Sequence, residues 1–85
     1  MRYQEGMIVK SDAGHDQERF YVIVAAEDRA AYIADGKRRK LEKPKRKNIC
    51  HLKRTGATVD LSTVDTNRKL RQVLRDFESP ASSAE

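Results

Sequence analysis

The feature that most constrains the fold is the apolar run FYVIVAA at residues 20–26. Its residues are mostly aromatic or β-branched, which favours a strand, and the run has no polar alternation, so both faces of that strand would be apolar. In an antiparallel protein such a strand is expected at the centre of a strongly curved sheet, as in a small closed barrel. A chain of 85 residues has room for one domain of this kind.

Shorter runs on either side predict four further strands. The pair Asp35-Gly36 is favoured in two-residue hairpin turns and would fold the fourth strand back on the third. Pro44 would keep residues 42–48 in a loop, and Gly56 would end the fifth strand, in which Ile49 and Leu52 can share a face only with a bulge. The five predicted strands are residues 7–9, 20–26, 31–34, 37–41 and 49–54.

A helix is predicted after the strands. It would begin near Asp65 or Thr66, either of which can cap its first turn, and end near Glu78, before Pro80. Its apolar residues form one stripe, Leu70, Val73, Leu74 and Phe77. The expected organisation is a barrel with its connector over residues 1–61, a helix packed on it over 62–78, and a disordered tail over 79–85.

Positive charge is concentrated in the basic stretch, residues 37–54, KRRKLEKPKRKNICHLKR, with ten Lys or Arg and one Glu for a net charge of +9. The whole chain carries +5, so the other residues sum to −4. A local block of this kind is typical of a polyanion site, most often for nucleic acid. A solvated loop or an import-like run is the alternative. The apolar residues within it, Leu41, Ile49, Cys50 and Leu52, favour a stretch threaded through a folded domain.

Few residues suit catalysis or metal binding. Structural zinc sites use four ligands at close spacing, and the chain has one cysteine, Cys50, and two histidines, His15 and His51. Adjacent strand residues point to opposite faces, so Cys50 and His51 would not meet as nucleophile and base. We therefore expect no enzyme, no metal and no cofactor.

The sequence also bears on the compartment. A single cysteine allows no internal disulfide. The first residues, MRYQEG, lack the apolar core of a secretory signal, and the longest apolar run is too short to cross a bilayer. These features predict a cytoplasmic protein without a membrane partner.

Two groups of residues resemble a known family. Residues 6–24 contain Gly-x-Ile-Val-x-Ser-x-Ala-Gly-x-Asp followed by FYVIV, which resembles a KOW motif at the start of an SH3-like barrel. Residues 33–52 contain IADGK, Lys43-Pro44-Lys45, Lys47-Asn48 and His51-Leu52. Together they resemble the short bacterial KOW-domain RNA-binding proteins similar to the archaeal and eukaryotic large-subunit ribosomal protein fourteen-e. The resemblance covers about residues 6–54 and implies a mainly β fold, a small five-stranded SH3-like barrel of the KOW type, here with a C-terminal α-helix.

The chain departs from that family in its first loop. The family usually has Lys-Gly where this chain has Gln17-Glu18, and Arg where it has His15. Both differences remove positive charge from the loop, so it should hold RNA less tightly than the family pattern implies.

The resemblance and the basic stretch together predict a non-catalytic RNA-binding module, monomeric when free. Its expected partners are structured RNA, ribosomal RNA in particular, and ribosomal or other translation proteins. Tyr21 and Tyr32 could stack on bases, although their apolar runs favour packing roles. The predicted RNA-binding residues are Lys10, Ser11, His15, Arg19, Lys37, Arg38, Arg39, Lys40, Lys43, Lys45, Arg46, Lys47, Asn48, His51, Lys53 and Arg54.

A second function class fits the same charge. SH3-like barrels also bind proteins, and a fold does not fix a function. The alternative is a protein-interaction module whose basic face binds an acidic protein partner.

Overall fold

The computed structural model of the chain describes residues 3–11 and 19–78. Its strands form one antiparallel sheet in the order β4-β3-β2-β1-β5. The fold is therefore mainly β, a small SH3-like barrel with a C-terminal helix, as the sequence predicts. The elements are β1 (Met7–Ser11), β2 (Arg19–Ala26), β3 (Ala30–Ala34), β4 (Lys45–Asn48), a 3-10 helix (Ile49–His51), β5 (Leu52–Thr58) and α1 (Asn67–Glu78).

A short connection requires the sheet to curve. β4 and β5 lie at opposite ends of the strand order, yet only the 3-10 helix Ile49–His51 separates them. In a flat sheet with strands about 4.8 Å apart, the two outer strands of five would be about 19 Å from each other. The chain from Asn48 to Leu52 reaches only about 14 Å at full extension. The sheet therefore curls until the basic strand β4 ends close to the start of β5.

The two faces of the sheet bury separate apolar cores, because neighbouring residues of a strand point to opposite faces. The core inside the curved sheet contains Val9, Tyr21, Ile23, Ala31, Ile33 and Leu52. The core on the opposite face contains Ile8, Val22, Ala34, Val64, Leu70 and Leu74. The second core joins the sheet to α1 and to the connector before it. The run at residues 20–26 is apolar on both faces for this reason: α1 covers the face that would otherwise meet water.

The helix α1 begins and packs as the sequence predicts. Thr66 Oγ1 accepts a hydrogen bond from the Lys69 N–H at 3.1 Å, which caps the first turn. Leu70 and Leu74 are buried, and Val73 packs beside them. Phe77 differs from the rest of the stripe, because it is 37% exposed at the rim of the core.

The fourth strand lies later in the chain than predicted. Residues 37–41 form no strand, and the predicted hairpin turn is replaced by a connection over residues 35–44. β4 then pairs with β3 from Ile33↔Lys45 to Ala30↔Asn48. Pro44 directly precedes this outer strand, where its missing N–H removes no ladder hydrogen bond.

The fifth strand also differs from its prediction. Ile49 lies in the 3-10 helix, and this turn lets Ile49 and Leu52 pack in the same core. Gly56 does not end β5 but lies within it at a φ of +85°. The pairing of β5 with β1 shifts register there, from Val9↔Arg54 to Met7↔Thr58, so residues 55–57 form a bulge.

Among the described residues, no helix is long and apolar enough to cross a membrane. The predicted disordered tail, residues 79–85, lies outside the part of the chain that the structure describes.

Candidate nucleic-acid interface

The fold distributes the predicted RNA-binding residues over several neighbouring elements. His15 lies outside the residues that the structure describes, as do Gln17 and Glu18 of the first loop. Of the predicted RNA-binding residues that are described, all except Ser11 are at least partly exposed. Lys10 and Ser11 end β1, and Arg19 begins β2. The 35–44 loop holds Lys37, Arg38, Arg39, Lys40 and Lys43; β4 holds Lys45, Arg46, Lys47 and Asn48; and the 3-10 helix and β5 hold His51, Lys53 and Arg54.

The 35–44 loop is held in a defined shape by Asp35. The backbone N–H groups of Asp35 and Gly36 both donate to the Arg39 carbonyl oxygen, at 2.8 and 3.0 Å. The Asp35 carboxylate accepts from the N–H groups of Lys37 and Arg39, each at 2.9 Å. These bonds close a turn of residues 35–39 instead of a two-residue hairpin, and they fix where its exposed cations lie.

Asn67, the first residue of α1, connects this loop to the helix. Its side-chain carbonyl oxygen accepts from the Leu41 N–H at 2.7 Å, and its amide nitrogen donates to a Glu42 carboxylate oxygen at 2.9 Å. The hydrogen bond from Asn67 holds the pKa of the Glu42 carboxyl below its usual value, with a further bond from its own backbone and the charge of Lys40 acting in the same direction. Asn67 thereby bonds two consecutive residues of the loop to the start of α1.

Replacing Asn67 with alanine should raise the pKa of Glu42 toward its ordinary range, because the largest cause of the shift is removed. A lowered folded-state pKa stabilises the fold above the ordinary pKa of a glutamate, and that contribution is lost as the pH falls through the lowered value. The measurement is a carboxyl NMR titration of the parent, Asn67→Ala and a Ser62→Ala control at a distant turn. An unchanged Glu42 titration in Asn67→Ala would contradict this contact.

β4 presents cations along the outer strand of the sheet. Its sequence is KRKN, with Lys45 and Lys47 half-buried and Arg46 exposed. Arg46 Nε lies 3.2 Å from a Glu27 carboxylate oxygen, whose second oxygen accepts from the Tyr32 hydroxyl at 2.9 Å. Part of the positive charge of Arg46 is therefore offset by Glu27, and Tyr32 lies in this polar cluster at the rim.

The start of β5 brings cations beside an aromatic ring. The Arg54 guanidinium lies 5.9 Å from the centre of the Tyr3 ring, and the Tyr3 hydroxyl donates to the Leu52 carbonyl oxygen at 2.9 Å. On the neighbouring strand, Lys10 Nζ lies 6.0 Å from the centre of the Phe20 ring. Both cations are oriented by contacts with aromatic side chains.

Three polar or aromatic residues have internal roles that the sequence left open. Ser11 is fully buried, so its hydroxyl does not face the surface where phosphates would bind. Among the described residues, Ser11 Oγ has no hydrogen-bond partner. The Asn48 side chain caps the 3-10 helix by accepting from the Cys50 N–H at 3.0 Å. Tyr21 lies in the core, which confirms the packing role that its apolar run favours.

A groove of about 830 Å³ lies between α1 and the 35–44 loop and is here called the helix groove. Arg71 Nη1 spans it, donating to the Gly36 carbonyl oxygen at 2.8 Å. The groove is lined by Arg19, Phe20, Asp35, Gly36, Lys37, Lys40, Arg71, Leu74, Arg75 and Glu78. Its five cations and two acids give it a net charge of +3.

Sequence reasoning missed the helix contribution to this groove. Arg71 and Arg75 each follow a buried leucine of α1 by one residue, Leu70 and Leu74. That spacing places both arginines on one flank of the apolar stripe, at i and i+4. The signal was present, but only the fold shows that this flank faces residues 36–40.

Among the described residues, no group of three or more His, Cys, Asp or Glu side chains is placed to hold a metal ion. Cys50 is a free, exposed cysteine.

Comparison with known proteins does not assign the chain to a family. No family model matches it, and no curated protein matches it. The likeness to KOW-domain proteins therefore rests on the residues quoted above.

Proposed function

We propose that this protein is a non-catalytic RNA-binding module that binds structured RNA, ribosomal RNA in particular, through the basic stretch, as a cytoplasmic component of the translation machinery. The observation that carries the proposal is β4, an outer strand made almost entirely of cations and fixed to the barrel by its pairing with β3. A cationic strand held on a rigid sheet can contact successive phosphates at low cost in conformational entropy.

A simpler role for β4 is protection of a sheet edge. Lysines on outer strands prevent unwanted strand pairing between molecules. Edge protection accounts for one or two charges on a strand. It does not account for the exposed cations that continue before β4, at Lys37, Lys40 and Lys43, and after it, at Lys53 and Arg54. The extension on both sides favours binding to a polyanion.

Replacing Lys43, Lys45, Arg46 and Lys47 together with glutamine should weaken RNA binding strongly and reduce its salt dependence. Each lost phosphate contact lowers the slope of log K against log salt by roughly 0.7 for single strands and 0.9 for duplexes. Glutamine retains much of each aliphatic stem, so the half-buried positions 45 and 47 stay filled. The measurement is a salt titration of binding to a ribosomal RNA fragment, with circular dichroism to check the fold.

The control is a double variant, Arg68→Gln with Lys69→Gln, on exposed positions of α1. For each charge removed, the slope of log K against log salt should change less in this control than in the quadruple variant. Crosslinking in cells, followed by nuclease or protease treatment and sequencing of the bound RNA, identifies the natural ligand. If the quadruple variant binds RNA as well as the parent across the titration, the basic stretch is not the RNA site. Capture that survives nuclease but not protease would instead favour an acidic protein partner.

A further inference from the structure

We infer that the helix groove binds an unpaired nucleotide of an RNA strand, with its phosphate among the cations and its base against an apolar floor. The inference rests on the proposed function, since it specifies the form of RNA that this part of the surface binds. It adds a site that uses residues outside the basic stretch.

The cations of the groove come from three separate parts of the chain. Arg19 begins β2, Lys37 and Lys40 lie in the 35–44 loop, and Arg71 and Arg75 lie on α1. Only folding brings them together, so they form a site and not a run of charge. Their excess over the two acids of the groove makes an anion the complementary ligand.

One of these cations is already positioned. The Arg71 guanidinium donates one bond, to the Gly36 carbonyl oxygen. A guanidinium has five N–H donors in a fixed plane, so this bond orients the group while donors for a phosphate remain. An arginine ordered before the ligand arrives loses less side-chain entropy on binding.

The floor of the groove is apolar and partly aromatic. Phe20 and Leu74 line it and are less exposed than its cations. The Phe20 ring is half-buried and fixed by an edge-to-face contact with Phe77, with ring centres 5.2 Å apart. Cations around an aromatic floor are the combination by which proteins bind single-stranded nucleic acid, because the backbone and the base each find a partner.

Size and base accessibility favour an unpaired nucleotide over a duplex. The volume of about 830 Å³ lies within the range of pockets that take small organic ligands. In a duplex the bases are stacked within the helix, so a duplex could reach the cations of the rim but could not place a base on Phe20. The groove should therefore distinguish single strands from duplexes.

The test measures binding of the full chain to a short labelled single-stranded RNA and to the duplex made from it. Phe20→Leu keeps an apolar floor but removes the aromatic ring, and Phe20→Tyr keeps the ring. Phe20→Leu should weaken single-strand binding by roughly 5- to 150-fold, the effect of losing one base stack. Duplex binding should be unchanged. Phe20→Tyr should retain single-strand binding. Thermal unfolding identifies any loss of the fold.

A second pair of variants tests the cations without disturbing Arg71. Lys37→Gln with Arg75→Gln removes two charges from the groove, whereas Arg68→Gln with Lys69→Gln removes two from α1 outside the groove lining. The groove pair should lower the single-strand salt slope by about 0.7, the value for the one phosphate that the groove is proposed to hold, and the control pair should lower it less.

The outcomes separate this inference from the proposed function. The groove does not hold an unpaired base if Phe20→Leu leaves the affinities for single-stranded and duplex RNA unchanged. The same conclusion follows if the variant is folded and both affinities fall equally. If the parent binds duplex RNA only, the groove inference fails while RNA binding stands. If the parent binds neither RNA, the proposed function fails as well.

Discussion

Replacing Gly36 with alanine should destabilise the fold by about 2–5 kcal/mol, more than an ordinary surface change. Gly36 has a φ of +79°, a conformation that disfavours any residue with a Cβ, by about 1–2 kcal/mol. A Cβ at this position would also lie 2.5 Å from the Asn67 carbonyl oxygen and 3.1 Å from Arg71 Cγ. Backbone cannot move aside easily, so forced overpacking adds about 1–3 kcal/mol. Urea unfolding followed by circular dichroism measures the difference.

Gly56 provides the matched control. Its φ is +85°, but a Cβ there would meet nothing within 4 Å. Gly56→Ala should therefore destabilise the fold only through the strained positive-φ backbone, by about 1–2 kcal/mol. Gly6→Ala should resemble Gly36→Ala, because its Cβ would lie 2.5 Å from the Val59 carbonyl oxygen. Equal losses at Gly36 and Gly56 would mean that the loop does not approach α1 as closely as the structure has it.

Residue patterns predict most of this fold because its signals are local. The run at residues 20–26 requires a strand buried on both faces, and the stripe on α1 requires a partner surface. The two needs are met together when α1 covers the sheet. Thr66 and the spacing of Leu70 and Leu74 place the helix to within two residues. These predictions succeed because each depends on the properties of neighbouring side chains.

The position of β4 could not be predicted in the same way. Residues 37–41 and 45–48 are both strongly basic, so neither has the apolar alternation that identifies a strand. Long-range contacts decide between them: Asn67 bonds the Leu41 N–H, and Arg71 bonds the Gly36 carbonyl oxygen. Because these contacts hold residues 36–41 in the loop, the strand forms after Pro44.

The candidate site shows the same division between local and distant information. Charge alone identifies residues 37–54 as a basic stretch. It does not reveal that Ser11 is buried, that Asn48 caps a turn or that Arg46 is beside Glu27. The arginines of the helix groove are separated from the basic stretch by many residues, so only the packing of α1 joins them to it.

Leu70→Ala is expected to destabilise the fold by about 2–5 kcal/mol. Leu70 is fully buried, in the core where α1 meets Ile8, Val22 and Ala34 of three different strands. Removing its side chain loses burial and leaves a cavity that this small core cannot close completely. A helix this short is marginal in isolation, so weaker packing should also loosen α1 itself. Loss of helical circular dichroism at lower urea than in the parent would show both effects.

Phe77→Ala tests how far the core extends along the same helix. Phe77 belongs to the same stripe, but it is 37% exposed and makes its ring contact with Phe20 at the rim. Its loss should therefore cost only about 1–2 kcal/mol, from partial burial and one aromatic pair. A cost as large as that of Leu70→Ala would mean that Phe77 is enclosed by contacts beyond those described. If stability is unchanged while RNA binding falls, then Phe77 acts mainly by holding Phe20 in place on the floor of the helix groove.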